Sequence, residues 1–233
     1  YGNLYFDAND LTAEGLPCAS LLGILLGEMD TEAYNGAQLL KLRRSLTGAM
    51  RFEMESYGGI NNPDFCRTFL CASFSAVEAK LEKASALMAE ILTGSKFENK
   101  QRLRELLRRC VNDMEADVAN SGHIFSMCRV NAALTASGAA KEHCSGIACC
   151  QWLKDTEKHF EDRADSLAAA LQSLSKKLFT TGRLTVSVTG AEEAACKALE
   201  KELLSKLPQA ERQTIPCAVK PWGLRKEGVV VPA

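Results

Sequence analysis

The sequence predicts an α+β fold, an antiparallel-rich sheet covered on one face by helices, and three observations predict it. Residues 50–57 and 184–190 alternate with a period of two, so each presents one apolar and one polar face. Between them, from residue 78 to 179, apolar residues recur every three or four positions, the period of amphipathic helices. Strands this short do not stand alone in water, so segments far apart in sequence must share one sheet, and a helical layer over its apolar face is the economical arrangement.

The elements follow in order. Residues 3–7, rich in Leu, Tyr and Phe, read as a strand. Turn signals at Asp10-Leu11-Thr12 and Gly15-Leu16-Pro17 lead into an apolar helix from Leu16 to Met29. Asp30-Thr31 has the composition of a cap, and Ala37 to Leu46 is amphipathic. Thr47-Gly48 breaks that helix. In the strand that follows, Met50, Phe52 and Met54 point one way and Arg51, Glu53, Glu55 and Tyr57 the other. Gly58-Gly59 and Asn61-Asn62-Pro63 mark a turn before a strand from Phe65 to Phe74, whose bulky residues are Phe65, Phe69, Cys71 and Phe74.

Leu81, Ala84, Leu87, Met88, Ile91 and Leu92 form one helical stripe, closed by Gly94. Leu103, Leu107, Cys110, Met114, Val118, Ser121, Phe125 and Cys128 form a longer one over seven turns. Ser137-Gly138 reads as a break, followed by helices from Ile147 to Phe160 and from Ala164 to Phe179. In the strand at 184–190, Leu184, Val186 and Val188 point in while Thr185, Ser187 and Thr189 point out. A last helix is expected from Ala191 to Leu207. Residues 1–207 thus read as a single unit. Pro208, Pro216, Pro221 and Gly223 make 208–233 a linker, in which Val229-Val230-Val231 has the composition of a further strand's start.

Composition narrows the function classes. With 233 residues, 46% hydrophobic and 24% charged, the chain has the make-up of a globular protein. A net charge of -1 gives no reason to expect nucleic acid or an anionic membrane as partner. The longest apolar run, Leu16 to Leu26, is interrupted by Pro17, Ser20 and Gly23 and falls short of the roughly 20 residues that span a bilayer. The chain opens without methionine and already in a strand-like pattern, as expected of a piece of something longer. Of the ten cysteines, several lie on apolar helical faces, Cys110 and Cys128 among them, and Cys149 and Cys150 are adjacent. That pattern fits small buried hydrophobes in a reducing compartment better than a disulfide framework.

Catalytic patterns are sparse. The three histidines, His123, His143 and His159, fall in neither H-x-x-E-H nor H-E-x-x-H order, so the two imidazoles and one carboxylate that seat a hydrolytic zinc are not assembled on one helix. His143, Cys144, Cys149 and Cys150 offer four soft donors in eight positions but lack a second matching pair, and read as a cysteine-tolerant helix start. No G-x-S-x-G occurs, and Tyr57-Gly58-Gly59-Ile60-Asn61-Asn62 lacks phosphate-loop spacing. The basic residues between Lys100 and Arg109 interleave with Leu103, Leu106 and Leu107 and read as a solvated flank rather than a phosphate-binding patch.

The ordered series NLYFD, LLGEMDTEAYNGAQLL, LTGAMRFEMESYG, MAEILTGSKFENKQRLRELLRR, SGHIFSMCRVNAALTASGAAKE, SGIACCQWLKD and LTVSVTGAEEA resembles the third repeat of the presequence proteases, zinc metallopeptidases of the pitrilysin/insulinase superfamily. The resemblance runs in register from Asn3 to Leu207. It implies a pitrilysin/insulinase-type repeat from the C-terminal half of a longer peptidase that degrades unstructured peptides. The expected partners are the N-terminal half and a fourth repeat of the same parent chain, together with peptide substrates. The resemblance places the zinc in the N-terminal half, with no catalytic or metal-ligating residue in this fragment. Location is expected to be cytoplasmic in a bacterium and the mitochondrial or plastid matrix in a eukaryote. One departure stands out: Thr47-Gly48-Ala49 keeps one of the two glycines the family tends to place before the second strand, which puts that turn's geometry in question.

Within that frame the polar strand face is the candidate site. Arg51, Glu53, Glu55 and Tyr57 are expected to project away from the helices, toward a peptide chamber, where the two carboxylates would attract basic peptides. The alternative is an ordinary solvated sheet face. At the level of the whole chain the alternatives are a non-catalytic structural subunit of the same fold, or a helical interaction scaffold built on the stripe from Leu103 to Cys128.

Overall fold

The computed structural model describes residues 1–190, 193–212 and 214–228. Four strands form one sheet in the order β2-β3-β1-β4: β1 (Gly2–Asp7), β2 (Ala49–Gly59), β3 (Asn62–Ser75) and β4 (Leu184–Val188). Every neighbouring pair is antiparallel. The first strand lies inside the sheet and recruits the last one, roughly 180 residues on, as its outer neighbour (Leu4 opposite Val186). The alternating apolar residues face the helices; Leu4 and Phe6, Met50 and Phe52, and Leu70, Ala72 and Phe74 are all buried.

The helical layer begins with α1 (Gly15–Leu25), which is apolar on nearly every side and therefore buried on nearly every side. Gly23 permits its closest approach to the sheet, since a Cβ there would stand 3.0 Å from the Phe52 carbonyl oxygen. Helix α2 (Gly36–Leu46) is capped by Asn35 in a reciprocal box with Gln38, rather than by Asp30-Thr31. Asp30 still serves that helix end, because its Oδ1 accepts from the Gly36 N–H at 2.8 Å. Thr47 and Gly48 then cross into β2 without any left-handed residue, so Ala49 fits an extended position and the missing second glycine costs the turn nothing.

Helices α3 (Leu81–Gly94), α4 (Lys100–Asn120), α5 (Gly122–Leu134), α6 (Ala136–Ser145), α7 (Ile147–Lys158) and α8 (Phe160–Leu178) complete the block. The seven-turn stripe from Leu103 to Cys128 is broken in two. Ser121 leaves the helical region (φ −128°, ψ 34°) ahead of Gly122, a residue that weakens a helix by about 1 kcal/mol relative to alanine. The break turns α5 so that Phe125 packs with Val118, Ile147 and Cys150. With the stripe divided and a four-stranded sheet present, a rod-like scaffold is ruled out. The break expected at Ser137-Gly138 falls instead at Thr135, whose side chain caps α6 by accepting from the Gly138 N–H at 3.0 Å. Gly138 is required for a different reason: its α-carbon presses on α5, where a Cβ would meet the Asn131 carbonyl oxygen at 2.3 Å.

The last helix, α9, spans Glu193–Glu202, followed by one 3-10 turn at Leu204–Lys206. Ala191 and Glu192, where the sequence places the start of that helix, and Val229-Val230-Val231 lie outside the described residues. From Pro208 to Gly228 the described chain carries no helix or strand, yet it is laid across the body as a strap. Ala218 N–H donates to the Asn9 carbonyl, Val219 is buried, and Trp222 N–H donates to the Ala132 carbonyl.

Asp10 ties the start of the chain to its end. Its carboxylate receives both Arg183 Nη atoms at 2.8 and 2.9 Å and Lys177 Nζ at 2.9 Å. The Arg183 guanidinium, with Lys177 behind it, holds the Asp10 carboxyl well below the ordinary carboxylate range despite partial burial. A depressed folded value means the stabilisation is complete above the unfolded aspartate value of about 3.9 and fades as pH falls from there toward the folded one. Asp10→Asn is therefore expected to lower the melting temperature at pH 7 and to flatten its decline below pH 4. Equal pH slopes for the two proteins in a thermal-melt series would contradict this.

Candidate functional site

The helices cover one face of the sheet, and the other face carries a compact polar and aromatic surface. Antiparallel register places partners side by side on the same face. Arg51 lies opposite Ser73, Glu53 opposite Cys71, Glu55 opposite Phe69 and Tyr57 opposite Arg67. Continuing across the sheet, Ser73, Cys71 and Phe69 face Asn3, Tyr5 and Asp7 of β1. All four residues expected from the alternation of β2 are on this open side. Arg51, Glu53 and Tyr57 are exposed and Glu55 is half-buried.

What the strand pattern of β2 alone could not supply is the neighbouring set. The Phe69 ring sits between Tyr5 (6.0 Å, edge-on) and Tyr57 (6.1 Å, tilted). Arg67 lies over the Phe69 ring at 5.6 Å and pairs with Asp7 at 3.3 Å. The open face thus holds three aromatic rings flanked by Glu53 and Glu55. Phe69 and Cys71 belong to it while Phe74 is on the helix side, a division that the bulk of these residues hides and their odd and even numbering reveals.

The two carboxylates colour their surroundings. The Cys71 thiol is pushed up to about 12, first by burial and then by Glu55 and Glu53. The Tyr57 hydroxyl is raised, again by burial first, with Cys71, Glu55, Tyr5 and Glu53 adding to it. In both groups burial leads and the carboxylates add to it; Glu53 and Glu55 beside the three rings are able to hold cationic or aromatic side chains of an extended ligand through charge and ring contacts. Among the described residues, the face holds no assembled nucleophile and general base.

A second concave feature lies between α4, α5 and the strap, a cavity of about 400 Å³ lined by Val118, Phe125, Val130, Ile147 and Trp222. Its charges are already spent on each other. Arg129 donates to Glu142 at 2.8 Å and to Glu227 at 2.6 Å, with its guanidinium 4.7 Å from the Trp222 ring centre. That arrangement clasps the strap rather than presenting free polar groups to a ligand.

The remaining donor residues do not gather into a metal site. His123 is exposed on α5; His143 packs edge-on to Trp222 at 5.1 Å, its pKa lowered chiefly by burial; His159 contacts Asp155 at the end of α7. Cys144 lies at the end of α6 and Cys149 and Cys150 in the first turn of α7, all three buried. Among the described residues no group of three His, Cys, Asp or Glu is placed to hold a metal ion. No helix among them is long and apolar enough to cross a membrane.

The family described as peptidase M16, subfamily C, associated matches residues 1–156. Protein HypA of Clostridium perfringens is 27% identical over 193 residues, covering 83% of this chain and 20% of that protein. Presequence protease 1, chloroplastic/mitochondrial, of Arabidopsis thaliana is 24% identical, covering all of this chain and 22% of that protein. The chain spans about a fifth of the length of these curated relatives. In three dimensions it is similar to a conserved protein from Enterococcus faecalis V583 (TM-score 0.61, 14% identity, 92% of this chain and 49% of that one). It is also similar to the first half of the periplasmic protease PqqL from Escherichia coli (TM-score 0.56, 17% identity, 93% and 44%).

Proposed function

Because the chain belongs to this peptidase-associated family, within the pitrilysin/insulinase superfamily, we propose that it is a non-catalytic wall domain of a longer zinc peptidase acting on unstructured peptides. In this reading the helices brace the domain and the open sheet face lines the space that receives the peptide. The zinc and the residues that activate its water belong to another part of the parent protein. The N-terminal half and a further repeat of that protein are the domain's partners.

The observation that carries the reading is the one-sided sheet. A four-stranded sheet whose apolar face is covered by helices leaves a second face bearing Tyr5, Phe69 and Tyr57 beside Glu53 and Glu55. Rings and carboxylates in alternation suit an extended peptide with basic and aromatic side chains, and the contacts ask for no particular sequence. The relatives' roughly fivefold greater length leaves room for the catalytic and closing parts.

The test is charge reversal. Glu53→Lys with Glu55→Lys in the full-length peptidase is expected to raise KM for a basic peptide by roughly three- to tenfold with kcat little changed, because the lost attraction acts on binding. The difference should shrink as salt is raised past about 0.15 M, where charges more than about 8 Å apart are screened. An unchanged KM at low salt ends this reading.

A further inference from the structure

We propose that Cys66 and Cys217 form a reversible disulfide site that fastens the C-terminal strap to β3. Their sulfur atoms are 3.1 Å apart although the residues are 151 positions apart in the chain. A disulfide needs about 2.05 Å, so closure requires a shift of only about 1 Å, within reach of small side-chain rotations. The backbone is already held on both sides of Cys217. Asn9 Nδ2 donates to the Ile215 carbonyl at 3.3 Å, and Ala218 N–H donates to the Asn9 carbonyl at 2.8 Å.

The two thiols differ in access. Cys66 is fully buried on the helix-facing side of β3, whereas Cys217 is half-buried on the strap and is the one a small oxidant reaches first. The co-reactant is a low-molecular-weight disulfide such as oxidised glutathione. The Cys217 thiolate attacks one of its sulfurs and releases one small thiol. The Cys66 thiolate then attacks Cys217 Sγ and expels the second. One S–S bond breaks and one forms; the two protein thiols are oxidised, the small disulfide is reduced to two thiols, and the two cysteine protons end on them. Burial and the neighbouring Cys217 raise Cys66 to about 11, so the second step is slow at neutral pH and accelerates in alkali. A two-thiol metal site is the weaker alternative, since among the described residues no third donor stands beside the pair.

The consequence is mechanical. The strap carries Trp222 and Glu227 onto Arg129, so oxidation locks it over the cavity between α4 and α5. The pair is therefore a redox-dependent fastening in an otherwise thiol-rich domain.

The experiment uses the 233-residue chain with Cys196→Ser, which removes an exposed thiol. After equilibration with oxidised glutathione at pH 8 and quenching, non-reducing peptide mapping is expected to find a Cys66–Cys217 cross-link and an intact mass lower by two hydrogens. Tryptic cleavage at the exposed Arg225 should slow at least about fivefold, the melting temperature should rise by roughly 5–10 °C, and dithiothreitol should reverse all of it. Cys217→Ser, a tolerant change at a half-buried position, should abolish the protection. The proposal is overturned if Cys66 and Cys217 are alkylated after oxidation, or if Cys66 pairs with another cysteine such as Cys144. It is equally overturned if the cross-link forms without slowing cleavage, or if Cys217→Ser keeps the protection.

Discussion

Arg129→Ala is expected to lower the unfolding free energy by about 3–5 kcal/mol, the cost of leaving a buried charge without its partner. Glu142 has no exposed side-chain surface, and its Oε1 is held by Arg129 at 2.8 Å and by the Ala148 N–H at 3.1 Å. Its Oε2 finds no hydrogen-bond partner among the described residues. The neighbouring Cys128 thiol is pushed up to about 12 by burial and by this carboxylate, so it stays protonated and adds no opposing charge. Arg129 also holds Glu227 at 2.6 Å and lies over Trp222, so its loss releases the strap. Removing both buried charges with Arg129→Met and Glu142→Leu should recover most of the loss, since well-packed apolar groups replace buried pairs at little cost. Urea unfolding of the three proteins decides it. A loss under about 1 kcal/mol for the single variant would mean that water reaches Glu142.

Phe6→Ala carries an expected cost of similar size, about 3–5 kcal/mol, from lost burial and the cavity left behind. Phe6 is fully buried on β1, between β3 and β4, and meets Phe179 edge-on at 4.9 Å, which joins the inner strand to the end of α8. Tyr5 is the adjacent residue on the opposite face. Tyr5→Ala leaves solvent rather than a void and is expected to cost only about 1–2 kcal/mol. The contrast between consecutive positions reads out the one-sidedness of the sheet. Comparable losses at both would show that the open face is packed against something in the isolated domain.

Much of this architecture is legible in the sequence because alternation and burial obey simple periods. In β2 the apolar residues alternate from Met50 through Phe52 to Met54, and in β4 from Leu184 through Val186 to Val188, which sets both the strands and the face each residue takes. The Arg51, Glu53, Glu55 and Tyr57 side of β2 follows from that alone. β3 is harder: it begins at Asn62, through a proline and two residues that usually make turns. The register shifts at Gly58/Gly59, so Pro63 sits where no ladder donor is required of it. The division between α4 and α5 escapes for the opposite reason. Ser121 and Phe125 keep the helical spacing, and periodicity does not register a single residue leaving the helical region. The aromatic partners Tyr5 and Phe69 become part of the site only through strand order, a long-range property that puts Tyr5 beside Cys71. The strap is invisible for a related reason. Its prolines signal the absence of helix and strand, while its attachment depends on single contacts such as Ala218 to Asn9 and Glu227 to Arg129.

The role proposed for this domain depends on what the open sheet face meets in the complete protein. A photo-crosslinking phenylalanine analogue in place of Tyr57, in the full-length peptidase incubated with a slowly cleaved basic peptide, addresses that contact directly. Tyr57 is half exposed on the open face, and Glu82, exposed on α3 of the helical layer, serves as the control position. A peptide-lining role for that face gives peptide adducts at the Tyr57 position, competed away by unlabelled peptide, and none at the Glu82 position. Adducts at neither position, or at both alike, would contradict it.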